Sequence, residues 1–427
     1  MDCCGADALP SLGFDRNGTA TKYHLDELRR GTDVNSVTPS PTVPRLGLCC
    51  TFSQQPIRFR TTTVKANSGM KRELALAKLS ELCLANADAL LAALHFCATH
   101  GIGSFRINSQ ILPLKTHSAC GYSMNELPRG EEIVERFRAC GEFAKTSGIR
   151  TCLHPDQFVV LNSPRADVVT SSVAELEYQS EVAEWVGADV VNIHGGGAYG
   201  NKAESLNRLA MRVNRLSERS RSRLTLENDD TTYTPNDLLP LCQAEGIPLV
   251  YDVHHHRCNR DELSVEEATR RAVATWNREP LFHISSPLEG WKGKNPKPHH
   301  DFIDIQDFPQ CWRDLSLTVE VEAKAKEVAV LKLKRQLVER WFVYILRCVD
   351  GSLYTGITNN LSRRLDQHNS GTASRYTRGR LPVVMIYYEE QPDQGSALRR
   401  ELDVKAMSRS AKEFLAQSTP GVSIDKG

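Results

Sequence analysis

The sequence lacks the marks of several protein classes. Its 13 cysteines include no CxxC pair, which argues against a zinc ribbon. The apolar runs are too short for a membrane span, and the N-terminus does not show the basic and then apolar pattern of a secretory signal. The formal net charge of +1 provides no overall basic field. We therefore expect reduced cysteines and an intracellular protein without a membrane partner, in a prokaryotic cytoplasm or nucleoid or in a eukaryotic nucleus.

The order of apolar and amphipathic segments divides the chain into regions. Residues 1–43 are rich in Gly, Asp, Asn, Thr, Ser and Pro, which predicts a disordered tail with one helical patch at HLDELRR. Over residues 44–339, short apolar runs such as DVVNIH and LVYDVH alternate with amphipathic segments in about eight βα units. This pattern predicts a (β/α)8 TIM barrel, of the α/β class. A doubly wound open sheet is the alternative.

The pattern changes after the last amphipathic segment of the predicted barrel. FVYILRC, SLYTGIT and PVVMIYYEE predict strands, whereas NLSRRLDQH and SALRRELDVKAMS predict helices. Residues 340–420 are therefore expected to form a small α+β domain, and residues 421–427 a loose C-terminus.

Imidazoles and carboxylates stand at the predicted carboxyl ends of the barrel strands. In a (β/α)8 barrel these ends meet at one face, where active sites lie. Nitrogen and oxygen donors without sulfur suit Mn²⁺, Mg²⁺, Zn²⁺ or Fe²⁺, and so many donors imply two or three ions, an arrangement that serves in-line displacement at phosphorus. The candidate metal ligands are His117, His154, His194, Glu227, Asp252, His255, His283, His299 and Glu322.

The loops around these ligands bear on the choice of substrate, because a metal-dependent sugar isomerase has a similar barrel mouth. The segment HPDQFVVLNSP places an amide, Gln157, and an aromatic ring, Phe158, beside a candidate ligand. Such a pair can wedge into a base stack and kink a duplex. The alternative is that Phe158 anchors the loop against the barrel rim. Lys115 and the lysines at 292, 294 and 297 lie on other strand-end loops and predict a cationic rim suited to a DNA backbone.

The barrel sequence resembles the UV damage endonuclease (UvdE) family. The matching segments, in chain order, are RLGLCC, FRINSQILPLKTH, LHPDQFVVLNSP, NIHGGG, LTLENDD, YDVHHH, FHISSP, HHDFID and VEAKAKEVAV. The resemblance implies a fold similar to that of endonuclease IV and a metal cluster held by the candidate ligands above, with Mn²⁺ the expected ion. It further implies nicking of duplex DNA immediately 5′ to UV photoproducts and some other lesions, with Gln157 and Phe158 as the lesion-probing pair.

Three positions depart from the pattern of this family. Family members commonly carry a lysine two residues before the FHIS-type histidine, and in modified form it assists the metal site; here that residue is Leu281. An apolar side chain cannot replace a ligand, so we expect one metal site to be weakened or built differently. Leu48 stands where many members have an aromatic residue, and Phe158 lacks the hydroxyl of the more usual tyrosine.

The C-terminal domain resembles the GIY-YIG nuclease family. VYIL followed by YTGIT provides the two motif tyrosines, although the first stands in VYIL rather than GIY. The next helix carries an arginine and a histidine at i and i+4, which share one helix face, and ALRRELDVK contains the glutamate that binds the metal in this family, here expected to be Mg²⁺. The catalytic candidates are Tyr344, Tyr354, Arg364, His368 and Glu401, and the phosphate-binding candidates on the basic patch are Arg363 and Arg375.

Together these features predict two nucleases in one chain, acting as a monomer on damaged double-stranded DNA. The barrel would nick 5′ to the lesion, and the C-terminal domain would make a further incision. Two alternatives stay open. One is a metal-dependent sugar isomerase with an unrelated second domain, and the other is a lesion-binding scaffold in which one or both nuclease sites are inactive.

Overall fold

The structure is a computed structural model, and it describes residues 44–313, 315–338, 341–391 and 393–417. The predicted tail at residues 1–43, its helical patch and the C-terminus at residues 421–427 lie outside the described residues.

Eight parallel strands form one sheet, in the order β6-β5-β4-β3-β2-β1-β8-β7. A parallel bridge between Asp252 and His283 joins the two outer strands, and the His283 N–H donates to the Tyr251 carbonyl over 3.1 Å. The sheet is therefore closed, and the predicted (β/α)8 barrel is confirmed. The strands are Arg45–Cys49 (β1), Ser104–Ile107 (β2), Arg150–Leu153 (β3), Val191–His194 (β4), Leu224–Glu227 (β5), Leu249–Val250 (β6), Leu281–Ile284 (β7) and Thr318–Val321 (β8).

Helices follow the strands and cover the outside of the barrel. Local signals set their ends: the helix from Pro235 to Glu245 begins at a capping box of Thr234 and Asp237 and ends at Gly246, whose φ of 66° suits glycine. The helices are Val64–Ser68 (α1), Arg72–His100 (α2), Gly130–Thr146 (α3), Ala166–Val186 (α4), Lys202–Val213 (α5), Glu218–Arg221 (α6), Pro235–Glu245 (α7), Val253–Cys258 (α8), Val265–Val273 (α9) and Glu327–Val338 (α10).

Among the described residues, one helix, α2, is long and apolar enough to cross a membrane by length and composition alone. Its side chains Leu79, Leu90 and Leu94 are buried in the main hydrophobic core, between the barrel strands and the outer helices. The core helix of a barrel passes the same test, so α2 is weak evidence for a membrane span.

Alternate residues of each barrel strand face opposite sides of the sheet, and this alternation places the candidate site. On β7, Phe282 and Ile284 belong to the core between strands and helices, whereas Leu281 belongs to a separate apolar cluster with Cys152, Val190 and Val250. That cluster lies inside the barrel, so His283, two residues from Leu281, also points inward.

The C-terminal domain is α+β, as predicted. Its strands Trp341–Cys348 (β9), Leu353–Thr358 (β10) and Val383–Gln391 (β11) form an antiparallel sheet in the order β10-β9-β11. Alternate residues of β9 enter two clusters, one around Val343 and Ile345 and the other around Tyr344 and Leu346. The helices are Leu361–Asn369 (α11), Arg375–Arg378 (α12), Gln394–Ala406 (α13) and Arg409–Gln417 (α14).

Candidate metal centre and second nuclease site

Donor atoms from six consecutive strand ends converge at the mouth of the barrel. Three groups of three residues each place their ligand atoms within 4.8 Å of one another. Because the groups share residues, they form one continuous cluster. The groups are His154, Glu227 and His283; His194, Glu227 and His255; and Asp252, His283 and Glu322.

Glu227, the last residue of β5, is the centre of this cluster. Its carboxylate lies 2.9 Å from His154 Nε2, 3.3 Å from His255 Nδ1 and 3.1 Å from His283 Nδ1. Burial would raise the pKa of Glu227, but the His283 and His194 imidazoles lower it well below its ordinary value. The carboxylate is therefore ionised and strongly favours positive charge among the imidazoles.

Several buried donor atoms at this centre are left without a hydrogen-bond partner among the described residues. They are Nδ1 of His194, Oδ2 of Asp252 and Nδ1 of His283. An unsatisfied buried polar atom costs about 1–3 kcal/mol, so a cluster of them indicates that another species completes the site. Imidazole nitrogen and carboxylate oxygen together fit a divalent cation such as Mn²⁺, Zn²⁺ or Fe²⁺.

Two of the expected ligands lie outside these groups. His299 Nδ1 is 3.7 Å from Glu322 Oε2, so the structure places it beside the cluster. His117 is not brought into any of the three groups. Its Nδ1 instead accepts a hydrogen bond from the Ala119 backbone over 3.1 Å, and it follows β2 by a longer loop than the other donors follow their strands.

A short helix that was not predicted, α8, positions His255. Asp252 caps it by accepting a hydrogen bond from the His255 backbone over 2.7 Å. The next residue, His256, lies between Tyr251 and Asp261, with ring nitrogens 2.7 Å from the tyrosine hydroxyl and 2.8 Å from the carboxylate. These buried contacts hold α8 in place at the end of β6. His256 thus fixes the helix that carries His255.

Sequence reasoning missed two charged residues inside the barrel, Arg106 on β2 and Glu320 on β8. Both are buried and form an ion pair, and Arg106 Nη1 also lies 2.7 Å from Glu322 Oε1. A signal was present in the sequence TVEVE, because Glu320 stands two residues before Glu322 and therefore faces the same side of the strand.

The loop after β3 presents the pair expected to probe a lesion. Gln157 is exposed, and the Phe158 side chain is 77% exposed, so it does not anchor the loop against the barrel rim. Lys115, expected on a cationic rim, donates instead to the Tyr122 carbonyl over 2.9 Å and lies 3.8 Å from Glu181. These contacts hold its ammonium against the protein.

In the C-terminal domain, Tyr344 on β9 and His368 on α11 meet in the buried interior. The tyrosine oxygen lies 2.9 Å from His368 Nε2, and the Tyr354 ring centroid lies 5.0 Å from that of His368. Gly356 pairs with Tyr344 across the sheet, and a Cβ there would lie 2.5 Å from the Tyr344 oxygen. The glycine of the YTG motif thus makes room for the first tyrosine.

Burial and the neighbouring guanidinium determine the protonation of this pair. Arg364 Nε donates to the Tyr344 oxygen over 3.2 Å. Burial raises the pKa of Tyr344 to about 12 despite this contact, and burial together with Arg364 lowers the pKa of His368 to about 4. His368 is therefore neutral at physiological pH. Its Nδ1 lies 2.8 Å from Thr377 Oγ1, which leaves Nε2 as the atom facing the tyrosine hydroxyl.

The remaining candidates of this domain lie on α11, α12 and α13. Glu401 on α13 contributes to the electrostatic field at Tyr344, and its largely buried carboxylate lies 3.0 Å from Lys405 Nζ. Arg363 and Arg375 are exposed on α11 and α12, in keeping with a phosphate-binding surface. Arg363 Nη2 donates to Asn359 Oδ1 over 2.9 Å.

Comparison with known proteins supports the family resemblance of both domains. The family model for UV-endonuclease UvdE matches residues 44–347. The chain belongs to the UvdE family. A second model, the GIY-YIG catalytic domain, matches residues 340–413. The chain is thus an endonuclease, and its two domains belong to two nuclease families.

Curated relatives and a solved structure cover the barrel. The chain is 34% identical over 307 residues to the UV DNA damage endonuclease of Deinococcus radiodurans, covering 68% of this chain and 95% of that protein. The corresponding protein of Bacillus velezensis is 31% identical over 303 residues, covering 67% of this chain and 91% of the relative. The crystal structure of SacUVDE superposes with a TM-score of 0.61 at 29% identity, covering 69% of this chain and 97% of that one.

Leu281, the departure within the UvdE motif, lies in the apolar cluster inside the barrel and is 1% exposed. It offers no donor atom to the metal centre. The carboxylate of Glu320 contacts the Cys152 thiol of the same cluster.

Proposed function

We propose that this chain is a metal-dependent DNA repair endonuclease that nicks duplex DNA on the 5′ side of UV photoproducts and related lesions. The observation that carries the proposal is the Glu227-centred cluster of imidazoles and carboxylates, with unsatisfied buried donor atoms at the strand ends. Membership of the UvdE family supports the choice of DNA over a sugar, because the relatives are named UV DNA damage endonucleases.

Divalent cations, with Mn²⁺ as our candidate, would supply Lewis acidity at the phosphate and a water of lowered pKa. Glu227 would hold ions together with His154, His194, His255 and His283. Asp252, Glu322 and His299 extend the donor set on the other side of His283. His117, on the longer loop after β2, is the remaining proposed ligand.

Lesion recognition is assigned to Gln157 and Phe158. An exposed ring on a loop next to His154 is accessible for stacking on an unpaired base or for entering a distorted step. A photoproduct stacks and pairs poorly, so opening the duplex at a lesion costs less than opening an intact site.

The C-terminal domain is proposed as a second nuclease, with the boundary between the domains at residues 339–340. Tyr344, held between Arg364 and His368, would orient the attacking water, while Arg364 offsets charge that develops on the phosphate. Glu401 would hold Mg²⁺, and Tyr354 would line the site. Helix α10 ends at Val338 and β9 begins at Trp341, so the short connection keeps the second site at high effective concentration near the first nick.

Incision mapping tests both activities. A duplex with one defined photoproduct is labelled on each strand end in turn and incubated with Mn²⁺, Mg²⁺ or a chelator. We expect a 5′ nick that His154→Ala abolishes and a second cut that only Glu401→Ala abolishes. Cutting that Glu401→Ala leaves unchanged would refute the second incision. Specific binding without metal-dependent cutting would favour the scaffold, and activity on sugars alone would favour the isomerase.

We also propose that the protein acts inside the cell as a monomer. The cysteines of the described residues are free thiols, in keeping with a reducing compartment. Light scattering on the full chain, with and without damaged duplex, gives the oligomeric state; a stable dimer would contradict this part of the proposal.

A further inference from the structure

Glu320 is a buried carboxylate that the candidate metal centre does not use as a ligand. It lies on β8 directly opposite His283 of β7 in the parallel register, and both side chains point into the barrel. Glu320 is 1% exposed and His283 is fully buried. A carboxylate in such a place is costly unless its partners compensate for the lost hydration.

His283 has two different environments at its two ring nitrogens. Nδ1 faces Glu227 at 3.1 Å and Glu322 at 3.5 Å and has no hydrogen-bond partner among the described residues. Nε2 lies 3.1 Å from Glu320 Oε2 and accepts a hydrogen bond from Arg106 Nη2 over 2.9 Å. When a cation takes the Nδ1 lone pair, the neutral ring carries its proton on Nε2 instead. Arg106 has no acceptor atom for that proton, whereas Glu320 has one.

Arg106 holds the carboxylate in this position. Its guanidinium pairs with Glu320 and, through Nη1, with Glu322 Oε1 at 2.7 Å. The Cys152 thiol contacts the other oxygen of Glu320. Arg106 thus holds one oxygen of the carboxylate and the Cys152 thiol contacts the other, while Oε2 faces His283.

We propose that Glu320 is a positioning residue of the metal centre: in the metal-loaded protein it would accept a hydrogen bond from His283 Nε2 and so leave the Nδ1 lone pair, which faces Glu227 and Glu322, to hold a cation. The assignment rests on the proposed metal-dependent function. Carboxylate groups behind a ligating imidazole fix its tautomer and ring orientation, and their removal weakens metal binding about 10- to 100-fold.

The test is a Mn²⁺ titration of the full chain, with affinity and stoichiometry read by calorimetry and elemental analysis. Glu320→Gln removes the charge at nearly constant volume. We expect Mn²⁺ affinity at one site to fall about 10- to 100-fold. Glu279→Gln is the matched control, because Glu279 is a barrel carboxylate paired with Arg45 and lies just before β7, at the opposite end from the mouth.

A double-mutant cycle separates positioning from general structure. If Glu320 acts through His283, then Glu320→Gln should cause no further loss of Mn²⁺ affinity in a His283→Ala background. The absorption spectrum of the Co²⁺-loaded protein should shift in Glu320→Gln and not in Glu279→Gln. The assignment would be overturned if Glu320→Gln lowered Mn²⁺ affinity equally in the wild type and in His283→Ala. A Co²⁺ spectrum that does not change in Glu320→Gln would also overturn it.

A second variant distinguishes a loss of positioning from a failure of Glu320→Gln to fold. Glu320→Asp keeps the charge beside Arg106 but shortens the reach to His283, and we expect a folded protein with weakened Mn²⁺ binding. Wild-type affinity in both Glu320 variants would overturn the inference while leaving the proposed function intact. A wild-type chain that binds no Mn²⁺, Mg²⁺, Zn²⁺ or Fe²⁺ would instead overturn the proposed function.

Discussion

The Tyr344 hydroxyl and His368 Nε2 lie 2.9 Å apart in the interior of the C-terminal domain. His368 is neutral because burial and Arg364 lower its pKa, so the tyrosine donates its proton to the imidazole and accepts from Arg364. This arrangement fixes the direction of the tyrosine lone pairs. A family motif that names two tyrosines therefore depends here on a histidine and an arginine one helical turn apart.

Tyr344→Phe should abolish the second cut while leaving the barrel's nick intact. Loss of the hydroxyl removes the group that orients the attacking water, and loss of one preorganised polar contact typically lowers the rate about 10²- to 10³-fold. Incision mapping under single-turnover conditions measures both cuts. Tyr387→Phe is the control, because its hydroxyl bonds Glu389 over 2.6 Å on a different face of the sheet. An equal loss in both variants would point to a packing effect.

The lowered pKa of His368 predicts a pH-dependent contribution to stability. The folded value is about 4 and the ordinary value is 6.5, so the unfolded chain binds more protons between these pH values. Stability from this group is therefore present above pH 6.5 and is lost as the pH falls toward 4. Thermal unfolding of wild type and His368→Gln from pH 7.5 to 4 should show a difference that shrinks at low pH. A constant difference would contradict this prediction.

The strand-end histidines were predictable because a buried parallel strand is a continuous apolar run, and a polar residue at its carboxyl end marks the barrel mouth. His154 directly follows β3, His194 is the last residue of β4, and His283 is the third of the four residues of β7. His117 differs, because it follows β2 by a longer loop and its Nδ1 accepts a hydrogen bond from the Ala119 backbone. The path of such a loop is not set by the alternation of the strand, so the sequence does not show whether a residue on it reaches the barrel mouth.

Glu320 was missed for a different reason. It stands within a strand, where alternation predicts an inward side chain but does not say which neighbour it meets. The register of β7 against β8 places it opposite His283, and Leu281 two residues earlier is apolar. The expectation that Leu281 changes the metal site stays a prediction. The contact between Glu320 and His283 names the carboxylate through which the site would be built differently.

Metal binding should stabilise the fold. Without an ion, Asp252 Oδ2, His194 Nδ1 and His283 Nδ1 are buried and unsatisfied, and an ion that binds only the folded state adds about 2.7 kcal/mol at 100 times its Kd. We expect Mn²⁺ to raise and a chelator to lower the unfolding temperature of the wild type. Glu227→Ala should remove this response, whereas Glu135→Ala, which removes an exposed carboxylate from α3, should retain it. A response that survives in Glu227→Ala would place the ions elsewhere.

Phe158→Ala should lower the preference for damaged over intact duplex with little effect on stability. The ring is 77% exposed, so its removal leaves no buried void, whereas a stacked base is worth about 1–3 kcal/mol. The ratio of nicking rates on damaged and intact duplexes should therefore fall about 5- to 150-fold, since each 1.4 kcal/mol is tenfold. Mn²⁺ affinity and unfolding temperature should match the wild type. Met211→Ala, which removes an exposed apolar side chain from α5, is the control. An equal fall in rate on both duplexes would assign the ring to general DNA binding, and a lowered unfolding temperature would assign it to packing.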